Sequence, residues 1–315
     1  MATSDNSQEL DEQVSKIVDV QEQTESHLLQ LANVNGVGIG YKVSKNKTSD
    51  ELCLIVFVTS KLKANDLDKK DTIPTKIEGV KTDVVEVGEI EAQAYTAKLR
   101  PAQPGYSIGH YKVTAGTFGA VVRDTCYPCR YYILSNNHVL ANSNGARIGD
   151  PILQPGRVDG GKNPADKIAT LQKFVPIKFG SVNNYNLVDA AIARPTDIKY
   201  IYASIKNLGI PKGIEEATLN MPVIKTGRTT QTTTGTVNAV NATVAVNFGS
   251  AGVAYFKNQI MTNDMSNGGD SGSVLLNRRN RNVVGLLFAG SSTVTIFNNI
   301  HNVMMALNVT PVTAS

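Results

Sequence analysis

The 315-residue chain has no tryptophan, only three cysteines and four histidines, and an aromatic content of 6%. Three cysteines cannot build a disulfide framework for a chain of this length. The longest strongly apolar run, Leu52 to Val58, is far too short to cross a bilayer, and no apolar segment of a secretory signal follows the polar start Met1–Asn6. The sequence therefore predicts no membrane association, and we expect a cytoplasmic protein.

Charge is also sparse, at 18% of residues, and it is unevenly placed. Residues 1–30 carry seven acidic side chains and one lysine, a net charge of −6 in a chain whose total is +4. No run of lysine and arginine is dense enough to indicate nucleic-acid binding. The acidic segment could dock a partner or pack on its own module, and packing is the simpler expectation.

Two regions of the chain differ in pattern. Residues 9–31 have apolar side chains at helical spacing, and the glycine-rich stretch Val34–Tyr41 and the apolar run Leu52–Thr59 follow. These features predict a small α+β module over residues 1–98, without the strand–turn–helix setting of a dinucleotide site. Residues 99–315 contain many short apolar or alternating runs bounded by turn residues, which predicts a mainly β domain.

The chemistry centres on one serine. A serine hydroxyl needs a neighbouring base and backbone N–H donors that stabilise the developing oxyanion, and these donors require close backbone approach. Ser271 lies in the glycine-rich turn Asn267–Ser273 and is followed at once by the apolar run Val274–Leu276. The nucleophile elbow of α/β-hydrolases is excluded, since it needs glycine at position 273 and a base after the serine. A plain hairpin turn is the alternative.

The base and its partner are predicted from their settings. His138 ends an apolar, strand-like segment and is surrounded by small polar residues, which favours a functional role over a buried structural one. The other histidines lie in segments where packing or surface roles are expected: His27, His110 and His301. Asp189 heads the apolar run Ala190–Ala193, where a carboxylate is costly unless it is paired. Asp150, in a Gly-Asp-Pro turn, is the second candidate for the acid.

In the order His, Asp, Ser, with separations of 51 and 82 residues, these segments resemble the trypsin/chymotrypsin superfamily. Gly268–Ser273 matches its serine motif almost residue for residue, and Val188–Ile192 is similar to its aspartate segment. Asn136–Leu140 is similar to its histidine motif, except that asparagine replaces a small residue. Gly285–Gly290 resembles its later substrate-binding strand. The resemblance covers about residues 105–305 and is greatest to bacterial trypsin-like peptidases with an N-terminal extension module.

The resemblance implies a serine endopeptidase that cleaves proteins or peptides through an acyl-enzyme. His138 would be the base, Asp189 its partner and Ser271 the nucleophile, with the amides of Gly269 and Ser271 as the oxyanion hole. No metal or organic cofactor is needed for this chemistry. The alternative is a relative that keeps the fold but only binds peptides or proteins, without turnover.

The resemblance further implies a chymotrypsin-like double antiparallel β-barrel, with barrels at about residues 105–195 and 215–300, preceded by the α+β module. The substrate-binding residues that it implies are Met265, Ser266, Phe288, Ala289 and Gly290. A small or medium apolar side chain is expected before the scissile bond, because Met265 occupies the position at which trypsin has an acid. A basic side chain is therefore not favoured, although Asp264, one position earlier, leaves this expectation open.

Four further expectations concern residues outside this set. Secreted trypsins pair the aspartate before the nucleophile with a newly cleaved N-terminus, and so Asp270 needs another partner here. A regulatory or target protein is expected to bind residues 1–98. Cys126 and Cys129 predict a hairpin with two thiols or a reversible disulfide, since no second ligand pair for zinc is present. Cys53 is expected in a core.

Overall fold

The computed structural model describes residues 2–44, 47–63, 66–88, 95–113, 115–125 and 129–314. The chain divides into two compact units, Met1–Gln93 and Ala94–Ser315. None of the helices in these described ranges is long and apolar enough to cross a membrane. Cys126 lies outside the described residues, and so its pairing with the exposed Cys129 stays a prediction.

The first unit combines one helix with a mixed four-stranded sheet. Its elements are α1 (Ala2–Leu28), β1 (Val34–Ser44), β2 (Lys47–Val58), β3 (Lys76–Ile77) and β4 (Val80–Glu86). The strand order is β1-β2-β4-β3, in which only β2 and β4 are parallel. Helix α1 buries Ile17, Val20 and Leu28 in the same cluster as Leu54 and Val56 of β2. The apolar face of the acidic helix therefore packs on its own sheet.

The glycine-rich stretch forms the middle of β1. Gly38 and Gly40 lie two residues apart and thus on one face of the strand. A Cβ atom at Gly40 would come within 2.6 Å of the Ile55 side chain, and one at Gly38 within 3.3 Å of Phe57. Glycine is needed here because two large side chains of β2 lie across β1.

The second unit begins with the strands of a first barrel. These are β5 (Ser107–His110), β6 (Gly116–Thr117), β7 (Ala120–Asp124), β8 (Tyr131–Ser135), β9 (Pro151–Leu153), β10 (Lys167–Phe174) and, after β11 (Tyr185–Asn186) of the other sheet, β12 (Ala191–Pro195). Antiparallel pairing gives the order β7-β8-β12-β10-β9-β5-β6.

One continuous segment closes this sheet into a barrel. Its first part, β6, pairs with β5, and its second part, β7, pairs with β8. Between the two parts, the Phe118 N–H donates to the Tyr106 carbonyl and the Gly119 N–H donates to the Leu134 carbonyl. The segment thus joins both edges of the sheet.

The remaining strands form a second barrel. They are β13 (Gly213–Ile214), β14 (Pro222–Gly227), β15 (Gln231–Asn247), β16 (Val253–Asn263), β17 (Val274–Asn277), β18 (Asn282–Gly290) and β19 (Val294–Asn299). Six of them close an antiparallel ring in the order β14-β15-β16-β19-β18-β17, while β11 and β13 pair outside it. The mainly β class and the antiparallel double barrel predicted from the sequence are confirmed.

Two short helices complete the unit: α2 (Asn137–Leu140) and α3 (Ile300–Leu307). After α3, strand β20 (Val309–Pro311) returns to pair with β7 of the first barrel. The chain therefore begins and ends this unit in the first barrel.

Each barrel has its own core, and a third core is shared by strands of both. On β17, Leu275 lies inside the second barrel, whereas Val274 and Leu276 lie in the shared core. On β8, Ile133 lies inside the first barrel and Leu134 in the shared core. Because side chains alternate along a strand, burial of both faces makes these strands read as continuous apolar runs.

Candidate active site

His138 is presented by the single turn α2 at the end of β8. Its helix neighbours Val139 and Leu140 are buried in the core of the first barrel. Asn137 donates to the carbonyl of Val175 at 2.7 Å, which ties the turn to another part of the barrel. The backbone is therefore held on both sides, while 23% of the His138 side chain stays exposed.

Asp189 is the partner of this histidine and is completely buried. The Asp189 Oδ2 atom lies 2.5 Å from Nδ1 of His138, and Oδ1 accepts the backbone N–H of His138 at 3.2 Å. A carboxylate accepts only, so Nδ1 carries the proton and Nε2 is left as the acceptor. This is the tautomer in which His138 can take a proton from a hydroxyl.

Asn136 and Asn298 hold the backbone of Asp189 from two sides. The Asn136 side chain, which replaces the small residue of the histidine motif, donates to the Asp189 carbonyl at 2.7 Å. The Asp189 N–H donates to Asn298 at 2.9 Å, and Asn298 in turn donates to Gln259 at 2.7 Å. Gln259 and Asn298 are both wholly buried, so the aspartate is positioned by a polar network from both barrels. Sequence reasoning did not identify these amides.

Asp150, the second candidate for the acid, belongs to another pair. Its Oδ2 lies 3.0 Å from Nε2 of His110, a histidine that is buried, and it also accepts the Arg147 N–H. Burial would raise the pKa of Asp150, but these hydrogen bonds lower it below its ordinary value. The expected packing role of His110 agrees with this contact.

The turn that contains Ser271 is tied to the first barrel through Thr117. The Thr117 N–H donates to the Ser271 carbonyl at 2.7 Å, and its hydroxyl donates to the Gly269 carbonyl at 2.9 Å. The Thr117 carbonyl accepts the hydroxyl of Ser135, which lies at the end of β8, three residues before His138. One threonine thus links the serine turn to the strand that ends at the histidine.

Two amides of this turn point away from the groups that hold it. Thr229 donates to the Gly268 carbonyl at 2.8 Å, and Ser273 donates to the Asp270 carbonyl from both its N–H and its hydroxyl. Within a trans peptide the C=O and N–H point in opposite directions, so the next amides face the other side. These are the N–H groups of the two residues predicted as an oxyanion hole, and neither donates a hydrogen bond within the described part of the chain.

Asp270 forms an ion pair with Lys225. Its Oδ2 lies 3.1 Å from Nζ of Lys225 and accepts the Thr230 hydroxyl at 2.6 Å. Backbone N–H groups of Asn267 and Thr229 donate to its two oxygens at 3.0 and 2.8 Å. The side chains of Lys225 and Asp270 have no exposed surface at all.

The two charges of this pair shift each other's titration. Burial would raise the pKa of Asp270, but Lys225 and the hydrogen-bond donors together lower it below its ordinary value. Burial lowers the pKa of Lys225, and Asp270 opposes that effect only in part. Because a buried charge is tolerated only when paired, the ion pair fixes the turn around Ser271.

Two cavities flank the site and share Ala289 and Gly290. One, of about 370 Å³, is also lined by Ser271, Ser266 and Asp264. The other, of about 550 Å³, is also lined by His138 and two aromatic side chains, which are Phe248 and Phe288. The Phe248 ring meets the His138 ring edge-on, with 5.9 Å between centroids.

Of the five residues predicted to bind substrate, four line one or both cavities and one lines neither. The exception is Met265, which is 4% exposed and lies in the core of the second barrel. Its N–H donates to the Thr295 hydroxyl at 3.0 Å. The acidic side chain at this cavity is instead that of Asp264, its neighbour in sequence.

No family model matches the chain, and no curated protein matches it. Solved structures do. Thermobifida fusca Protease A is 17% identical, over 67% of this chain and 98% of its own, with a TM-score of 0.48. Nocardiopsis protease is 18% identical over the same shares, with a TM-score of 0.49. Cellulomonas bogoriensis chymotrypsin is also 18% identical over these shares, with a TM-score of 0.47.

Proposed function

We propose that this chain is a serine endopeptidase with Ser271 as nucleophile, His138 as general base and acid, and Asp189 as the partner of that histidine. The observation that carries the proposal is the buried Asp189 on Nδ1 of His138, which leaves Nε2 as an acceptor in the cleft. The tie through Thr117 between β8 and the serine turn supports it.

In the proposed reaction, Ser271 Oγ attacks the carbonyl carbon of the scissile peptide while Nε2 of His138 takes the hydroxyl proton. The carbonyl oxygen becomes an oxyanion and accepts hydrogen bonds from the N–H groups of Gly269 and Ser271. The C–N bond then breaks as the imidazolium returns the proton to the leaving amine. Asp189 stays ionised throughout and stabilises the imidazolium.

Water completes the cycle by the same route. His138 takes a proton from water, the hydroxide attacks the acyl ester, and the ester bond breaks as the proton passes to Ser271 Oγ. Besides substrate and water, neither half of the cycle requires a metal or an organic cofactor.

The test is covalent labelling with a fluorophosphonate probe, which reacts with serines whose hydroxyl is activated by a base. We expect the native chain to be labelled at Ser271 and to hydrolyse an unstructured protein substrate. Ser271→Ala should remove both properties. A folded chain that neither reacts with the probe nor cleaves the substrate would be a binding module, the alternative to the proposed enzyme.

We further propose that protein partners bind residues 1–98. Among the residues of α1 whose side chains the structure describes, four acids are exposed: Asp11, Glu12, Asp19 and Glu22. Neutralising all four as Asn or Gln should slow cleavage of a lysine-rich folded protein at low ionic strength, while cleavage of a short peptide is unchanged. This role for the helix is refuted if the variant cleaves the folded protein as fast as the native chain does, and the short peptide as well.

A further inference from the structure

The cavity beside Ser271 has one charged group in its wall. Its volume is about 370 Å³, at the lower end for ligand sites, which suits a single side chain. Among the residues that line it, Asp264 is the only one with a charge. Most of the others have small polar side chains: Ser266, Asn267, Ser271, Ser291 and Ser292.

Thr295 fixes which side chains face this cavity. Its hydroxyl accepts the Met265 N–H at 3.0 Å and lies 2.8 Å from the Ser266 hydroxyl. With Met265 held toward the core of the second barrel, Asp264 and Ser266 on either side of it lie toward the cavity. Because Met265 faces the core, the cavity is lined by the acid one position earlier in the chain and not by the methionine.

The carboxylate of Asp264 forms no ion pair within the described part of the chain; its charge acts on Lys225, but that lysine is buried and paired with Asp270. Among the described residues, its one hydrogen bond is a long contact of 3.4 Å from the Ser266 N–H. The side chain is exposed to the cavity, so its oxygens are free to accept further hydrogen bonds. A concave site with a single unpaired negative charge and several hydroxyl groups is complementary to an ammonium or guanidinium group.

We infer that Asp264 selects a lysine or arginine at P1, the residue on the N-terminal side of the scissile bond. This inference rests on the proposed endopeptidase function and supplies its substrate class. The apolar P1 residue expected from the sequence assumed that Met265 faces the cavity, which it does not. A long basic side chain would extend past Ser271 and place its charge at Asp264.

The experiment compares P1 residues that differ in charge but little in shape. For the native chain we expect kcat/KM on a P1-lysine peptide to exceed that on its norleucine analogue by about 10- to 100-fold, the range of one hydrogen-bonded charge pair. Asp264→Asn should remove that difference. Asp197→Asn, which removes the same charge from an exposed position elsewhere in this unit, is the matched control and should keep the native preference.

Two readouts separate a failure of this inference from a failure of the proposed function. Fluorophosphonate labelling reports the nucleophile and should be equal in the native chain and Asp264→Asn. Binding of p-aminobenzamidine, followed by its fluorescence, reports the cation site without turnover and should be lost in Asp264→Asn but kept in Ser271→Ala.

The inference is overturned if labelled enzyme prefers norleucine over lysine at P1, or if Asp264→Asn keeps the native preference. If the chain proves inactive, it is overturned by the absence of p-aminobenzamidine binding that depends on Asp264. An unlabelled chain that still binds the probe through Asp264 would refute the proposed enzyme and keep the cation site.

Discussion

The surroundings of two buried carboxylates, Asp189 and Asp270, differ in the hydrogen-bond donors around each carboxylate and in the basic side chain that each one contacts. Both side chains are wholly buried, and each is paired with one basic side chain. The described hydrogen bonds to the Asp189 carboxylate come from His138 alone, from its ring and its backbone. The Asp270 carboxylate accepts hydrogen bonds from the ammonium of Lys225, from Thr229 and Thr230, and from the backbone N–H of Asn267.

The basic partners differ as much as the acids. The imidazole of His138 is partly exposed and lines one of the two cavities, and its Nε2 atom makes no hydrogen bond within the described part of the chain. The ammonium of Lys225 is enclosed and is already committed to its neighbours. Under the proposed function, Asp189 with its partly exposed partner serves catalysis, whereas Asp270, which is surrounded by fixed donors, holds the backbone of the serine turn in place.

The largest expected effects come from removing the reacting groups. Ser271→Ala and His138→Ala should each lower kcat on a peptide substrate by about 10⁶-fold, since triad members act as a unit. For the same reason, the double variant should be little worse than either single one. Measurements of kcat on each purified, folded variant check this expectation. A double variant whose loss in kcat equals the product of the two single losses would contradict a shared mechanism.

A smaller loss is expected when the tautomer of His138 is no longer held. Asp189→Asn keeps the shape of the site but offers an N–H where Nδ1–H needs an acceptor, so kcat should fall by about 10⁴-fold. Asp150→Asn, which alters the pair with His110, is the matched control and should leave kcat near the native value. If the control loses activity instead, the two His–Asp pairs have been assigned the wrong way round.

Substitutions at the ion pair of Asp270 and Lys225 should affect the free energy of unfolding more directly than the reaction rate. Lys225→Met leaves Asp270 buried without a counter-charge, and the free energy of unfolding should fall by about 3–5 kcal/mol. In the double variant, Asp270→Asn removes the unpaired buried charge, and part of the lost free energy of unfolding should be regained. Urea denaturation of the native chain, Lys225→Met and the double variant measures both steps. A double variant less stable than Lys225→Met would mean that the charge is not the cause.

The mainly β class could be predicted from the sequence because several strands bury both faces and read as short apolar runs, such as Val274–Leu276, whereas the double barrel was implied only by the resemblance of the three motifs. The histidine, aspartate and serine segments could be found because each puts a polar group beside such a run. Closure of the first barrel through the segment around Phe118 could not be predicted, since it depends on one segment pairing with a different strand at each of its two ends. Nor could the Asp270–Lys225 pair, whose members are 45 residues apart.

Single-residue register is the other limit on prediction at this site. Counting back from Ser271 gives Met265 as the residue at the base of the cavity, but the turn places Asp264 there instead. The decision depends on the Thr295 hydroxyl, which comes from a neighbouring strand and binds the Met265 N–H. Nothing in the local sequence around the serine carries that information.

The smallest expected effect is a pH dependence that distinguishes the two carboxylate regions further. The pKa of Asp270 is lowered by Lys225 and the surrounding donors against the effect of burial, so its ordinary value near 3.9 applies only to the unfolded chain. A group with a lowered pKa in the folded state contributes stability that is present above the unfolded value and is lost as pH falls through the folded value.

We therefore expect the free energy of unfolding of the native chain to fall more steeply between pH 4 and pH 2 than that of the Lys225→Met/Asp270→Asn variant. Urea midpoints across this range give the two slopes, and the other carboxylates cancel in their difference. Equal slopes would mean that Asp270 has the same proton affinity in the folded and unfolded chain, and the ion pair with Lys225 would then not be the charged structure described above.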